Sequence, residues 1–286
     1  MYGVDPSKHI LGVIAGAGEF PRLMIKGAKR AGMRVICMGI RGAVGDDIPA
    51  LCDAFRKFRV GALEAPLAYF KAHGVTHVVL TGQIKPACIY TMWPDATARR
   101  HLAELDRRNA HTIFGAVCHL LQEHGMQVLP STAFMEEVLP PAGHLAGPAP
   151  TPDQLEEAAH GMQLAREIAR LDIGQSLIVR GQHVTCVEAY KGTNECIKNG
   201  EGSPENPVTL CKVTKPGHDM RFDVPCIGVR TIEHCARCGV NHIVFEARRT
   251  IIFQQQRVID LCNQHGITLH AMDIPQGGIT VGVGGV

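Results

Sequence analysis

The 286-residue chain has no apolar run near the roughly 20 residues that a membrane-spanning helix needs, so any membrane contact read from it is peripheral. Charge of one sign is also lacking. Its 29 Lys and Arg against 27 Asp and Glu leave a formal net charge of +2, which gives no reason to expect nucleic acid as a partner. Nor is there a disordered or collagenous bias, since 45% hydrophobic and 20% charged residues describe a folded globular protein. Eleven cysteines are present, an odd number at irregular spacing, which argues against a disulfide framework. Cys235-Ala-Arg-Cys238, with His234 beside it, has no second pair to complete a four-ligand zinc site. Cys37, Cys186 and Cys211 lie inside apolar runs, where a thiol acts as a small buried hydrophobe, and a reducing cytosol is the expected compartment.

Two further absences concern residues 11–21, LGVIAGAGEFP. The stretch has a strand-like run followed by Gly16-Ala17-Gly18, but the third glycine of a dinucleotide fingerprint is missing. The next strand ends in Met38-Gly39-Ile40-Arg41, with no acid to hold ribose hydroxyls. Gly16 and Gly18 still permit a sharp turn that approaches a ligand, and Pro21 suits the first turn of the following helix. Arg41 leaves an NADP-linked oxidoreductase open, and a structural turn without a ligand is the other reading.

A length of 286 residues suggests two domains. The first half alternates short apolar runs with amphipathic stretches, the pattern of a Rossmann-like, mostly parallel α/β sheet. Strands are expected at 10–15, 34–39, 77–81 and 127–129, and helices at 21–31, 62–73 and 112–124. Gly32, Gly74 and Gly125 stand where left-handed caps would end those helices. Arg99, Arg100, Arg107 and Arg108 recur at helical spacing, either as a solvated face or as a docking surface for anionic head groups. PPAGHLAGPAPTP, at 140–152, is uncharged and rich in Pro and Gly and reads as a linker. A helix from Pro152 to about Arg170 and a hairpin turning at Arg180-Gly181-Gln182 follow. Strands near 208–213, 242–245 and 267–270 then alternate with helices at 231–238 and 254–265. The domains expected are thus a Rossmann-like 1–138, a linker 139–152 and a mixed α/β domain 153–286, with QGGITVGVGGV as a loose tail.

Chemistry-bearing residues gather in KVTKPGHDMRFDVP, which holds Lys212, Lys215, Arg221, Asp219 and Asp223 around a Pro-Gly turn. Cations neutralise phosphate oxygens and carboxylates hold a divalent metal or orient water, so the mixture fits phosphoryl chemistry. In an extended segment Asp219, Arg221 and Asp223 would share one face. The alternative is a charged loop whose Asp and Arg pair with each other. A second group is Asp172 and Gln175, then Glu188 followed by Lys191-Gly192-Thr193-Asn194, where a carboxylate can face a cleft or cap the next segment. His111 and His218 are further candidate bases.

KPGHDMRFDVPCIG, LDIGQSLIV, VEAYKGTN and IAGAGEFP together resemble the UDP-2,3-diacylglucosamine pyrophosphatase family of the LpxI type, from about Ile10 to Met272. The resemblance implies a Mg²⁺-dependent hydrolase of lipid A biosynthesis that yields UMP and 2,3-diacylglucosamine 1-phosphate. It also implies a two-domain homodimer with the substrate in the cleft between the domains, cytoplasmic and in peripheral contact with the membrane. By residue it implies metal-binding or water-orienting roles for Asp219 and Asp223 and phosphate contacts for Lys215 and Arg221. Gly16, Gly18, Gln175, Glu188, Thr193, Asn194 and Lys212 are then expected to bind substrate. This chain departs from better-known members at His218, at Lys191 to Asn194 and near Asn109-Ala110-His111. A binding paralogue without catalysis is the alternative function.

Overall fold

The computed structural model describes residues 2–84, 93–105, 109–215, 217, 219–222 and 224–274. The chain forms two units, the first holding the residues up to Glu136 together with the 219–222 segment, and the second the remainder.

In the first unit, β1 (Ile10–Ala15), α1 (Phe20–Arg30), β2 (Arg34–Ile40), β3 (Ala54–Phe58), α2 (Glu64–Ala72), β4 (His77–Thr81), α3 (Ala96–Ala103), α4 (Ala110–Glu123) and β5 (Gln127–Val128) follow in order. The five strands form a parallel sheet in the order β3-β2-β1-β4-β5. Its central strands are covered on both faces, which is why they read as continuous apolar runs. Gly32, Gly74 and Gly125 have φ of 80°, 69° and 77°, the left-handed conformation that ends the preceding helices. β3 was not expected from the sequence. Its Arg56 and Lys57 are exposed on the sheet edge, so the strand shows no apolar run, and such charges discourage edge pairing with other chains. Of the basic patch, Arg99 and Arg100 are exposed on α3, whereas Arg107 and Arg108 lie outside the described residues.

The second unit holds β6 (Gly143–Ala146), α5 (Pro152–Arg170), β7 (Ser176–Arg180), β8 (His183–Val187), α6 (Thr193–Lys198), β9 (Val208–Lys212), β10 (Cys226–Ile227), α7 (Val229–Arg237), β11 (Val240–Glu246), β12 (Ile251–Ile252), α8 (Gln255–His265) and β13 (Thr268–Met272). Six strands form a mixed sheet in the order β6-β13-β11-β9-β7-β8. β9, β11 and β13 are parallel, while β6, β7 and β8 run antiparallel to their neighbours. The expected hairpin is β7–β8, with Gly181 at φ 57° in its turn. On one face α5 packs Ala158, Met162 and Ala165 against Leu177, Val179, Cys211 and Val244. Gly161 lets it come close, since a Cβ there would lie 2.5 Å from the Cys211 sulfur. On the other face α7 and α8 pack Ile232, Cys235, Val258 and Cys262 against Ile178, Leu210, Ile243 and Phe245.

The sequence expectation needs two corrections in this unit. Residues 139–152 are not a bare linker, because β6 lies within them and pairs antiparallel with β13. Proline and glycine flank this short edge strand on both sides, which hides it from composition. The α6 helix is the second, six residues placed immediately after Gly192 at φ 81° and too short to show helical periodicity. The glycine-rich tail expected at 276–286 lies outside the described residues.

His242 on β11, His270 on β13 and His144 on β6 form a row across three strands, with His270 registered directly opposite His144. The His242 ring is fully buried, 6.1 Å from the His270 ring, and neither of its nitrogens has a hydrogen-bond partner. Burial, then the neighbouring histidines, push its pKa down to about 4. Below the ordinary histidine value the unfolded chain takes up a proton that the folded unit refuses, so stability falls as pH drops from about 6.5 toward 4. The loss expected from this one residue is about 3 kcal/mol. Denaturant unfolding at pH 7, 5.5 and 4 should show a flatter pH dependence for His242→Leu than for the unmodified chain.

Candidate active site

β1 and β4 are neighbours although β2 and β3 intervene in sequence, so the direction of strand order reverses between them. Ligands of open parallel sheets bind beyond the strand C-termini at such a point. The GAG turn stands there. Gly16 N donates to Thr81 O at 2.8 Å, and Ala17 and Gln83 exchange backbone hydrogen bonds of 2.8 and 2.9 Å. A Cβ on Gly16 would lie 2.5 Å from Gln83 O, so this glycine serves a close approach between the β1 and β4 turns. Gly18, at φ 94°, faces open space. Together with Thr81, Gly82, Arg41 and Phe222, Gly16 lines a cleft of about 660 Å³.

Phe222 reaches that cleft because the 219–222 segment is bound into the first unit. Ser131 N donates to Met220 O at 2.7 Å, and the Ser131 hydroxyl lies 2.5 Å from Leu80 O and 2.6 Å from Arg221 O. Phe222 stacks on Phe114 with ring centroids 5.8 Å apart and meets the edge of His111 at 5.2 Å. The segment is a turn, not the extended run that would align Asp219, Arg221 and Asp223 on one face, and Phe222 N donates to Asp219 O at 3.3 Å. Within the turn Arg221 grips Asp219 with two side-chain bonds of 2.8 and 2.6 Å. The guanidinium therefore holds the Asp219 carboxyl below its usual range, and Asp219 in turn raises Arg221. The nearby Cys118 thiol is pushed up to about 11 by burial. His218 and Asp223 lie outside the described residues.

In the second unit, the polar residues gather where β9 and β11 end. Lys212 is buried at the end of β9, and its ammonium donates to Ser176 Oγ at 3.2 Å and Thr193 Oγ1 at 3.1 Å. Thr193 passes its own proton to Glu188 Oε1 at 2.9 Å, and Gln175 N donates to Glu188 Oε2 at 3.3 Å. A buried cation and a half-buried carboxylate are thus joined through one hydroxyl, which partly satisfies both charges. Four residues expected to bind substrate (Gln175, Glu188, Thr193 and Lys212) therefore form one network, while Asn194 stands exposed on α6 beside it. Lys215 pairs with the exposed Asp172 at 2.7 Å, a bond that water weakens and an anionic ligand can replace. Glu246, buried at the end of β11, accepts from Thr214 N at 2.8 Å and lies 3.5 Å from the Arg249 guanidinium.

Sequence reasoning missed Ser131, Ser176, Glu246 and Phe222. Ser176 and Glu246 had a signal, because each is a polar residue bounding an apolar strand. Ser131 and Phe222 had none, since their roles depend on a contact 90 residues apart. In this arrangement Asp219 Oδ1 accepts from the Arg221 N and Nε, and Oδ2 accepts from its Nη2. Among the described residues no group of three or more His, Cys, Asp or Glu is placed to hold a metal ion.

The sequence pattern of the LpxI N-terminal domain matches residues 10–138, and that of the LpxI C-terminal domain matches residues 141–270. The chain belongs to the LpxI family. The UDP-2,3-diacylglucosamine pyrophosphatase LpxI of Caulobacter vibrioides is 27% identical over 274 residues, covering 92% of this chain and 97% of that relative. Likeness to solved structures is slight. A biotin carboxylase domain of a single-chain bacterial carboxylase is 16% identical at a TM-score of 0.27, covering 62% of this chain and 31% of its own. The biotin carboxylase domain of Hydrogenobacter thermophilus 2-oxoglutarate carboxylase is 15% identical at 0.25, covering 60% and 35%. The chain thus spans about a third of either structure, and scores this low support no statement about fold or activity.

In this LpxI-family chain the boundary between the two matched patterns falls just before β6, so the strand belongs with the C-terminal pattern. The Thr193 hydroxyl is the link between Lys212 and Glu188. Thr193→Val keeps the shape and removes that link, leaving both charged groups one bond short. A cost on the order of 2 kcal/mol is expected in denaturant unfolding, with Thr193→Ser restoring most of it.

Proposed function

We propose that this chain hydrolyses the diphosphate of UDP-2,3-diacylglucosamine, releasing UMP and 2,3-diacylglucosamine 1-phosphate, a step of lipid A biosynthesis. The observation that carries the proposal is the end-to-end alignment with a pyrophosphatase so named, which spans 97% of that relative. The geometry supports it at two places. In the first unit a glycine-lined cleft at the strand-order reversal offers backbone to a nucleotide, with Arg41 at its wall. In the second, the Lys212 ammonium is held at the end of β9 with two of its three N–H groups engaged by hydroxyls of described residues, and the third is proposed to meet an anionic oxygen.

In this reading water attacks one phosphorus of the diphosphate, the P–O bond to the leaving phosphate breaks, and the departing oxygen carries the developing charge. Arg221 in the first unit, and Lys212 and Lys215 in the second, are the cations proposed to contact phosphate oxygens, and Thr193 and Glu188 hold the Lys212 ammonium in place. Asp223 keeps the water-orienting or metal-holding role expected from the sequence resemblance. Asp219 is reassigned to fixing Arg221, as its two hydrogen bonds support. A divalent cation, a homodimeric state and a peripheral contact with the cytoplasmic membrane surface belong to the same proposal. Among the described residues no helix is long and apolar enough to cross a membrane. One observation favours a second reading, a nucleotide-sugar-binding relative without catalysis: Arg221 is already paired with Asp219 through two side-chain bonds.

The test is incubation of purified protein with UDP-2,3-diacylglucosamine, with and without Mg²⁺, and assay for UMP. Release of UMP is expected, with Lys212→Met lowering kcat by about 100-fold, the size of effect that one preorganised donor supplies. Binding of the substrate without release in either condition would select the second reading.

A further inference from the structure

α4 carries Ile113, Phe114 and Val117 on a face that is only half-buried, although Cys118, Leu120 and Leu121 on the same helix are buried. Opposite that face stand Leu67, Phe70 and Ala98, from α2 and α3. Between them is a cavity of about 120 Å³. Among the described residues its lining is apolar apart from Arg59 and His101. Protein interiors are packed with few voids, and an unfilled apolar cavity costs stability. An apolar cavity of roughly 150 Å³ stays dry and accepts a six-carbon hydrocarbon. This one is of that scale, so it has room for about five carbons of a chain.

The cavity is also connected to the nucleotide-facing side of the fold. Ile14, Ile40, Val60, Leu80, Ile84 and Phe114 line both the cavity and the glycine cleft. The two therefore adjoin across an apolar wall that includes Ile14 and Phe114, beside the Gly16 turn. Phe222, stacked on Phe114, covers the same wall.

We propose that the cavity between α2, α3 and α4 holds the distal end of one acyl chain of the substrate, with the rest of that chain running through the glycine cleft. This rests on the reaction proposed above for the identity of the substrate, but the cavity and its lining do not depend on it. The chemistry recognised is an unbranched hydrocarbon, which gains by leaving water and needs no hydrogen-bonding partner.

Full-length protein is titrated with cis-parinaric acid, a hydrocarbon chain that fluoresces on entering an apolar site. Saturable binding is expected, with affinity at least tenfold lower in Val117→Trp, which fills the cavity. Val117→Thr, equal in volume but polar, guards against misfolding of the larger variant and should lower affinity about threefold. Unchanged affinity in both variants would overturn the assignment. Long-chain UDP-2,3-diacylglucosamine should displace the probe, and an analogue bearing two-carbon acyl groups should not. Displacement by neither would mean that the chain held there is not the substrate's. In hydrolysis, Val117→Trp should lower kcat/KM for the long-chain substrate at least tenfold more than for the two-carbon analogue, and an equal loss for both would refute the subsite. Parinaric acid binding without any hydrolysis would leave the cavity assigned and remove the reaction.

Discussion

One serine hydroxyl holds the first unit's cleft in shape. Ser131 is buried, and its hydroxyl oxygen is within hydrogen-bond distance of both Leu80 O at the end of β4 and Arg221 O in the 219–222 turn. Without that turn the wall of the glycine cleft would lose Phe222, and Phe114 would lose its stacking partner. The same anchoring sets the direction of Arg221, whose guanidinium is then fixed by Asp219 rather than by a ligand. A neutral backbone contact thus decides where a charged side chain stands. Charge pairing, a bidentate and mostly buried grip of Arg221 on Asp219, completes the turn.

The second unit solves a related problem with a buried charge. An ammonium without partners in a protein interior is costly, and Lys212 avoids the cost through hydroxyls rather than through direct contact with a carboxylate. Placing Thr193 between Lys212 and Glu188 leaves the cation attractive to an anion from outside. A direct Lys212–Glu188 pair would have satisfied both and offered neither. The position of Thr193 follows from Gly192, whose φ of 81° starts α6 directly after the β8 turn.

The parallel sheet was legible in the sequence wherever strands were buried on both faces, since burial imposes continuous apolar runs such as Val35 to Met38. The helix ends were legible through Gly32, Gly74 and Gly125, where backbone conformation restricts the residue type. Two of the four edge strands of the five- and six-stranded sheets were not: β3 and β6 each meet a neighbour on one side only, so polar or small residues serve there as well as apolar ones. In the candidate site, Gln175, Glu188, Thr193 and Lys212, singled out from the sequence, are brought into one network, because charged residues beside apolar strands need partners. The alternative read for KVTKPGHDMRFDVP, a charged loop whose Asp and Arg pair, is what Asp219 and Arg221 form, but composition could not show that their turn belongs with residues just after β5. That placement is set by a contact between positions 131 and 221, and no local pattern records so long a separation.

That separation has a consequence for how the protein is made. The first unit is not a continuous piece of chain, since its last wall segment follows after some eighty residues of the second unit have been synthesised. At ribosomal rates of about 5–20 residues per second, residues up to Glu136 wait several seconds on the growing chain before Phe222 exists. During that interval the glycine cleft and the half-buried face of α4 are open to whatever apolar surface lies near. The order of translation therefore exposes an apolar groove early and covers it late, so this unit is vulnerable to wrong contacts before its own chain can close it.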